Sequence, residues 1–344
     1  MASHRRPKQP GRTRVTVLTA TAAAAVALTS QTAQADPKPS KTEVKAKVDK
    51  LYEEAEKATE KFNGAKERQD KLQKQVDTLQ DQVARGQDGL NDLRDKLGSV
   101  ASAQYRSGGM DPSLQLFLSS DPDTFLDRAS ALDHLGDKQQ EAIAEIQNKQ
   151  RALAQQRKEA QGKLTDLADT RKELGAKKRE VQTKLADAQK LLNSLSVQER
   201  KALKAEEKRA DRTNQRAALS DPSEAKPATG RATSAYAAAQ SKLGQPYVYG
   251  ASGPNSFDCS GLTSWAFAQA NVSIPRTSQA QANIGQRINS QSDLRQGDLV
   301  FFYDDLHHVG FYAGNGQVLH APRTGANVRY EPISNMPYMF GVRV

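Results

Sequence analysis

At 344 residues the chain has room for two or three domains, but 37% hydrophobic, 26% charged and 6% aromatic residues are too polar a mix for one large core. A net charge of +10 does not mark a nucleic-acid binder here: five of those ten charges (Arg5, Arg6, Lys8, Arg12, Arg14) precede Ala35 with no acid among them, and beyond them acids and bases alternate as on a solvated helix. The single cysteine excludes an internal disulfide framework.

The first predicted element is a leader. Basic RRPKQPGRTR runs into apolar VTVLTATAAAAVAL, and AQA at 33–35 supplies an A-x-A site before Asp36. This order predicts a signal peptide over 1–35. The apolar run is shorter than the ~20 residues a bilayer span needs, and no later stretch is apolar enough to cross. The mature chain is therefore expected to be secreted, extracytoplasmic and without a transmembrane span.

From Val44 to Val100, positions spaced by four and three are apolar except at Gln69 and Gly86. A second run extends from Ile143 to Leu195, with Gln150, Arg157, Arg171 and Lys178 interrupting one seam position. Sustained heptads of this kind predict left-handed coiled coil, with arms of about 85–95 Å. Between them, SGGMDPSLQLFLSSDPDTFLDRASALDHLG carries two Asp-Pro pairs and a Gly-Gly that break helix, and short apolar stretches that re-form it. Residues 36–213 thus read as an antiparallel hairpin with a helical tip near 107–135, in preference to parallel homodimers of each helix. The tip's apolar residues suit either a docking surface or a simple cap. LSDPSEAKPATGR, within 214–231, has no periodicity and reads as a flexible linker.

Residues 232–344 are enough for one compact α+β domain. TSAYAAAQSKLG predicts a helix ended by Gly244, and DCSGLTSWAFAQA a second helix with Asp258 or its neighbour capping it and Cys259 at its start. GDLVFFY, HVGFYAG and QVLHAP predict strands, the last two joined at Gly314-Asn315-Gly316. A thiol at a helix N-terminus is expected to ionise more readily than a free one, beside amides that point at an incipient oxyanion. Such a nucleophile needs a base, and the base an orienting group. A three-residue loop at 314–316 would pair residue 313 with 317 and 310 with 320, bringing His308 and His320 to one face, whereas a two-residue turn would separate them. An inert thiol and packing histidines would be the blander reading of these residues. One Cys and three His could hold zinc, but they lack a familiar ligand spacing.

In order and spacing, PYVYG, FDCSGL, IPRTS, GDLVFF and HHVGFYAGNGQVLHAP resemble the NlpC family of papain-like peptidoglycan endopeptidases. The resemblance covers about residues 235–344. It implies a papain-like fold and hydrolysis of cell-wall stem peptides between D-glutamate and the following diamino acid. It also implies Cys259 as nucleophile, His308 as base and His320 as its orienting partner, with no metal or cofactor. Tyr247 matches the tyrosine beside the active site, Asp258 and Ser260 match residues lining the stem-peptide pocket, and Arg276 matches a frequent arginine. Where the family has Trp-Gly-Gly, this chain has Tyr249-Gly250-Ala251. A helical hairpin ahead of such a domain is similar to exported division hydrolases whose coils answer to a membrane ABC-transporter complex, which implies that the hairpin covers the cleft or docks on that partner. The alternatives are a non-catalytic wall-binding scaffold, and an amidase or transpeptidase on the same fold.

Overall fold

A computed structural model of the chain describes residues 40–106, 118, 125–219 and 230–344. The leader, most of the expected hairpin tip and residues 220–229 of the linker lie outside the described residues. Helix α1 (Lys41–Arg106) opens on a reciprocal cap in which the Glu43 amide donates to Ser40 Oγ and the Ser40 amide to Glu43 Oε2. At 66 residues it is about 100 Å long. Helix α2 (Phe125–Ser194) returns antiparallel along it.

The expected heptads set this pairing. Leu153, Ala160, Leu167, Val181, Ala188 and Leu195, spaced by multiples of seven, are buried, as are Val44, Val48, Ala55, Ala58, Ala65 and Val76 on α1. Two of the polar interruptions, Arg157 and Arg171, are paired across the two helices. Arg157 donates to Gln87 at 2.6 Å and Arg171 to Gln73 at 2.9 Å, while Arg68 pairs with Glu173. Gly86 leaves space for Leu153, whose Cδ1 would lie 3.3 Å from an added Cβ.

The helical path breaks at Leu195–Ser196 and resumes as α3 (Val197–Leu219), again with a Ser-x-x-Glu cap, Ser196 with Glu199. Residues 214–219, assigned to the linker from composition, form the end of α3, and α4 (Gly230–Gln240) opens at the linker's other edge. Leu195 and Leu203 pack with Val44 and Val48, which ties the base of the hairpin to α3.

The C-terminal domain adds α5 (Cys259–Gln269) and α6 (Ser278–Gln281) to a six-stranded antiparallel sheet. Its strands are β1 (Gln286–Ile288), β2 (Leu299–Phe302), β3 (His308–Gly314), β4 (Gln317–His320), β5 (Arg329–Pro332) and β6 (Tyr338–Arg343), in the order β1-β6-β2-β3-β4-β5. Alternation in β2–β4 sends Phe301, Val309, Phe311 and Leu319 into one core with Ala235 and Tyr236 of α4 and Leu262 and Phe267 of α5. Each fully buried phenylalanine there contributes about 1.5–3 kcal/mol. Val300, Phe302 and Val318 form a smaller cluster on the opposite face. The fold is the expected one: a papain-like α+β domain preceded by a long antiparallel helical hairpin.

Candidate active site

Cys259 is the first residue of α5, and Asp258 caps the helix by accepting from the Gly261 amide at 2.7 Å. Glycine is required at 261 because a Cβ there would lie 2.1 Å from the Ala251 carbonyl oxygen. The helix start is thus pressed under the 250–251 loop, and the Gly250 amide donates to Asp258 Oδ2 at 2.9 Å. Arg276 completes this support, reaching Asp258 Oδ2 at 2.6 Å and Ser260 Oγ at 2.8 Å. Arg276 here holds the residues that flank the thiol.

The histidines come from β3 and β4. The turn between these strands has two residues, Asn315 (φ 53°) and Gly316 (φ 67°), with Gly314 opposite Gln317. By itself it would put the histidines on opposite faces. A bulge at Ala313 inserts the compensating residue, so Tyr312 pairs with Val318 and Phe311 with Leu319. The three-residue loop is thus replaced by a turn plus a bulge, with the same register beyond it. His308 and His320 share a face, with His308 Nε2 2.7 Å from His320 Nδ1. His320 Nε2 lies 3.2 Å from Glu331 Oε2 on β5. Burial, reinforced by His308 and Arg329 and opposed by Glu331, pulls His320 down to about 4 and keeps it neutral. His307 faces elsewhere, bonded to Asp305 and stacked on Tyr303 at 4.2 Å.

Helix α1 closes the site. From Tyr52 to Ala65 it is buried on two sides, and polar Glu56, Thr59, Glu60 and Asn63 form the side away from the α2 seam. Glu60 accepts from Ser260 Oγ at 2.6 Å and from the Ser278 amide at 2.8 Å, and its Oε1 lies 3.8 Å from Cys259 Sγ. The Glu56 carboxyl bonds His308 Nδ1. Asn63 donates to Asp258 Oδ2 at 3.1 Å, and Phe62 packs edge-on against Tyr249 with centroids 6.0 Å apart.

Cys259 is 1% exposed under this cover, and burial, followed by Glu56, Glu60 and Asp258, pushes its thiol well above the ordinary range. The readier ionisation expected of a thiol at a helix N-terminus is reversed in this arrangement. Three neighbouring carboxyl groups and the loss of water outweigh the helix dipole. Glu60 itself is raised to about 7, by burial first and by Asp258 second, with Ser260, Ser278 and Arg276 opposing.

Tyr247 is 5% exposed and packs in the same core cluster as Cys259. Burial, then Glu56 and Cys259, raises its hydroxyl. The structure therefore brings together Cys259, His308, His320, Asp258, Ser260 and Arg276, with Tyr247 alongside. Sequence reading missed Glu56, Glu60, Asn63 and Glu331. The first three recur at helical spacing, but a polar stripe on a heptad helix carries no mark that separates a cleft-facing side from a wet one. Donor atoms of Glu56, Cys259 and His308 lie within 4.8 Å of one another, the one cluster among the described residues able to hold a metal ion. Among those residues no helix is long and apolar enough to cross a membrane.

Residues 244–340 match the model of the NlpC/P60 family. A "Probable endopeptidase" of Corynebacterium glutamicum is 48% identical over 120 residues, covering 35% of this chain and 57% of that protein. Another, of Mycobacterium bovis, is 40% identical over 116 residues, covering 34% and 30%. The solved peptidoglycan hydrolase RipB of Mycobacterium tuberculosis is 32% identical and covers 33% of this chain and 64% of that one, with a TM-score of 0.30. The matches thus span 57% and 30% of the two curated relatives' lengths, and the family model begins at residue 244, after the helical hairpin. The family's ordered motifs are folded around Cys259 and the paired histidines, so the C-terminal segment 244–340 is an NlpC/P60-type domain by sequence match and by the arrangement of its candidate site.

Proposed function

We propose that the chain is an exported cysteine endopeptidase that hydrolyses peptidoglycan stem peptides at the D-glutamyl–diamino acid bond, held at rest by its own first helix. The observation that carries this reading is the convergence of Cys259 Sγ and a His308 ring nitrogen within 4.8 Å, with His308 bonded to His320. In the working state the Cys259 thiolate attacks the scissile carbonyl, and His308 takes the thiol proton and delivers it to the leaving amine. Water then hydrolyses the thioester. Asp258 and Ser260 face the stem peptide, and Tyr247 borders it.

The resting role of α1 is supported by where its carboxyl groups lie. Glu56 occupies the His308 nitrogen facing away from His320, and Glu60 fills the position beside Ser260. Substrate enters once α1 withdraws. The agent we assign to that step is a membrane ABC-transporter division complex pulling on the hairpin's far end, where Tyr105 and Leu126 are exposed.

The test uses the full mature chain and a Glu60→Lys form, which sets an ammonium against Arg276 and so disfavours the docked helix. Glu60→Lys is expected to release stem-peptide fragments from cell walls faster than the parent, and adding Cys259→Ala to abolish release. Turnover that survives Cys259→Ala overturns the nucleophile. Wall binding without turnover in every form supports a scaffold instead. The masses of the released fragments separate an endopeptidase from an amidase or transpeptidase.

A further inference from the structure

We propose that Glu331 is a positioning residue of the Cys259–His308–His320 relay, fixing the tautomer of His320 so that His308 presents a bare nitrogen to the thiol. This rests on the catalytic roles proposed above.

The need for such a residue follows from the chemistry of imidazole. A carboxylate or an amide carbonyl in third position could only accept the base's N–H, but a neutral histidine can donate or accept at either ring nitrogen. The 2.7 Å contact between His308 Nε2 and His320 Nδ1 can therefore be made in two ways. If His320 carries its proton on Nδ1 and donates, His308 Nε2 must be bare. A neutral His308 then has its proton on Nδ1, the nitrogen left for the thiol, and cannot act as a base. If His320 carries its proton on Nε2, its Nδ1 accepts from His308 Nε2–H, and His308 Nδ1 is free to take the thiol's proton. Only the second arrangement is competent.

Glu331 selects it. Its Oε2 lies 3.2 Å from His320 Nε2, and an ionised carboxylate can only accept, so the proton is drawn to Nε2. The carboxylate is kept ionised: burial would raise it, but His320, Arg329 and Asn335 together pull it well below the usual range. Its orientation is set from three sides. Arg329 reaches the same Oε2 from Nε at 3.3 Å and Nη2 at 3.0 Å, and Asn335 donates to Oε1 at 3.2 Å. Arg329 is in turn gripped by Glu207 and Asp211 of α3, both at 3.2 Å. The β4–β5 register, with His320 opposite Arg329, fixes the spacing. His320, neutral by burial, then serves as a fixed acceptor and does not compete with His308 for the proton.

The experiment uses the full mature chain carrying Glu60→Lys, with ¹⁵N-labelled histidine. Long-range ¹H–¹⁵N spectra are expected to show His320 protonated at Nε2. Glu331→Met, which removes the acceptor at similar volume, is expected to move His320 toward the Nδ1 form and to lower kcat about tenfold or more with KM little changed. Combined with His320→Asn, whose amide carbonyl has no tautomer to choose, Glu331→Met should cost less than about threefold. The proposal is overturned if His320 keeps the Nε2 form in Glu331→Met, or if Glu331→Met costs the same factor with and without His320→Asn, the mark of a purely structural ion pair. Where Glu331→Met does not fold, Glu331→Ala with added formate replaces it. Recovery of the Nε2 form on adding formate supports the proposal, and no recovery overturns it. The spectra read the tautomer whether or not Cys259 proves to be the nucleophile, so failure of the catalytic assignment would be seen separately, in Cys259→Ala.

Discussion

Glu60 is the residue on which the proposed resting state turns, because it gives up water for one hydroxyl, one amide and a nearby thiol. Its pKa, about 7 when docked, lies above the 4.5 of a free glutamate. The docked state therefore prefers the protonated acid. The contribution of that proton to holding α1 is complete below about 4.5 and is lost as the pH rises through about 7. Asp258 raises this value and Arg276 opposes it, so the sign holds with the surrounding charges included. We expect the ratio of Glu60→Gln to parent turnover to be largest near pH 5 and to fall toward pH 8, measured on one soluble stem-peptide substrate. A ratio flat across that range would remove Glu60 as the titrating contact. Cys259 and the histidines were legible because nucleophile chemistry restricts residue types and spacing. Glu56 and Glu60 were not, since a glutamate on a heptad helix is ordinarily wet.

The β3–β4 hairpin illustrates how elements can reach an expected arrangement by another route. The loop length read from Gly314-Asn315-Gly316 did not hold, yet the histidines meet because the bulge at Ala313 restores the register. Bulges depend on the strands to either side and leave little trace in local composition. The same holds for β1 and β5, short strands rich in polar residues that only their partners define. Gly310 offers a test of the hairpin. An added Cβ would stand 2.5 Å from Val318 Cγ2 and 2.9 Å from His320 Cβ, closer than side chains approach. Gly310→Ala should cost about 1–3 kcal/mol of stability and part the two histidines, lowering kcat more than the loss of folded protein explains. Thermal melts beside turnover check this. Unchanged kcat per folded molecule would show that the pair tolerates displacement.

Across the whole molecule, α1 serves two partners with one helix: small apolar residues face α2, and a polar stripe faces Cys259 and His308. If that cover is the resting state, fixing it in place should stop turnover. Gly64 faces Thr277, whose Cγ2 lies 3.7 Å from the position of an added Cβ, so side chains at the two positions meet across the α1–domain contact. In the paired Gly64→Cys, Thr277→Cys chain, oxidation should reduce turnover about tenfold or more, and dithiothreitol should restore it. The single-cysteine chains should show no such difference beyond the redox response of Cys259 itself. Full activity of the cross-linked chain would mean that substrate reaches Cys259 with α1 in place.

By itself the sequence determined the helical hairpin, the α+β domain, and the candidate thiol and histidines that the fold brings together. Each of these is written in local spacing: a seven-residue apolar repeat, a cap before a helix, short motifs in fixed order. Only the tertiary structure decided that Cys259 is covered, that Glu56 and Glu60 cover it, and that Glu331 stands behind His320. These contacts join residues up to 252 positions apart through side chains whose type is common on any surface, and their meaning arises when folding removes the water between them.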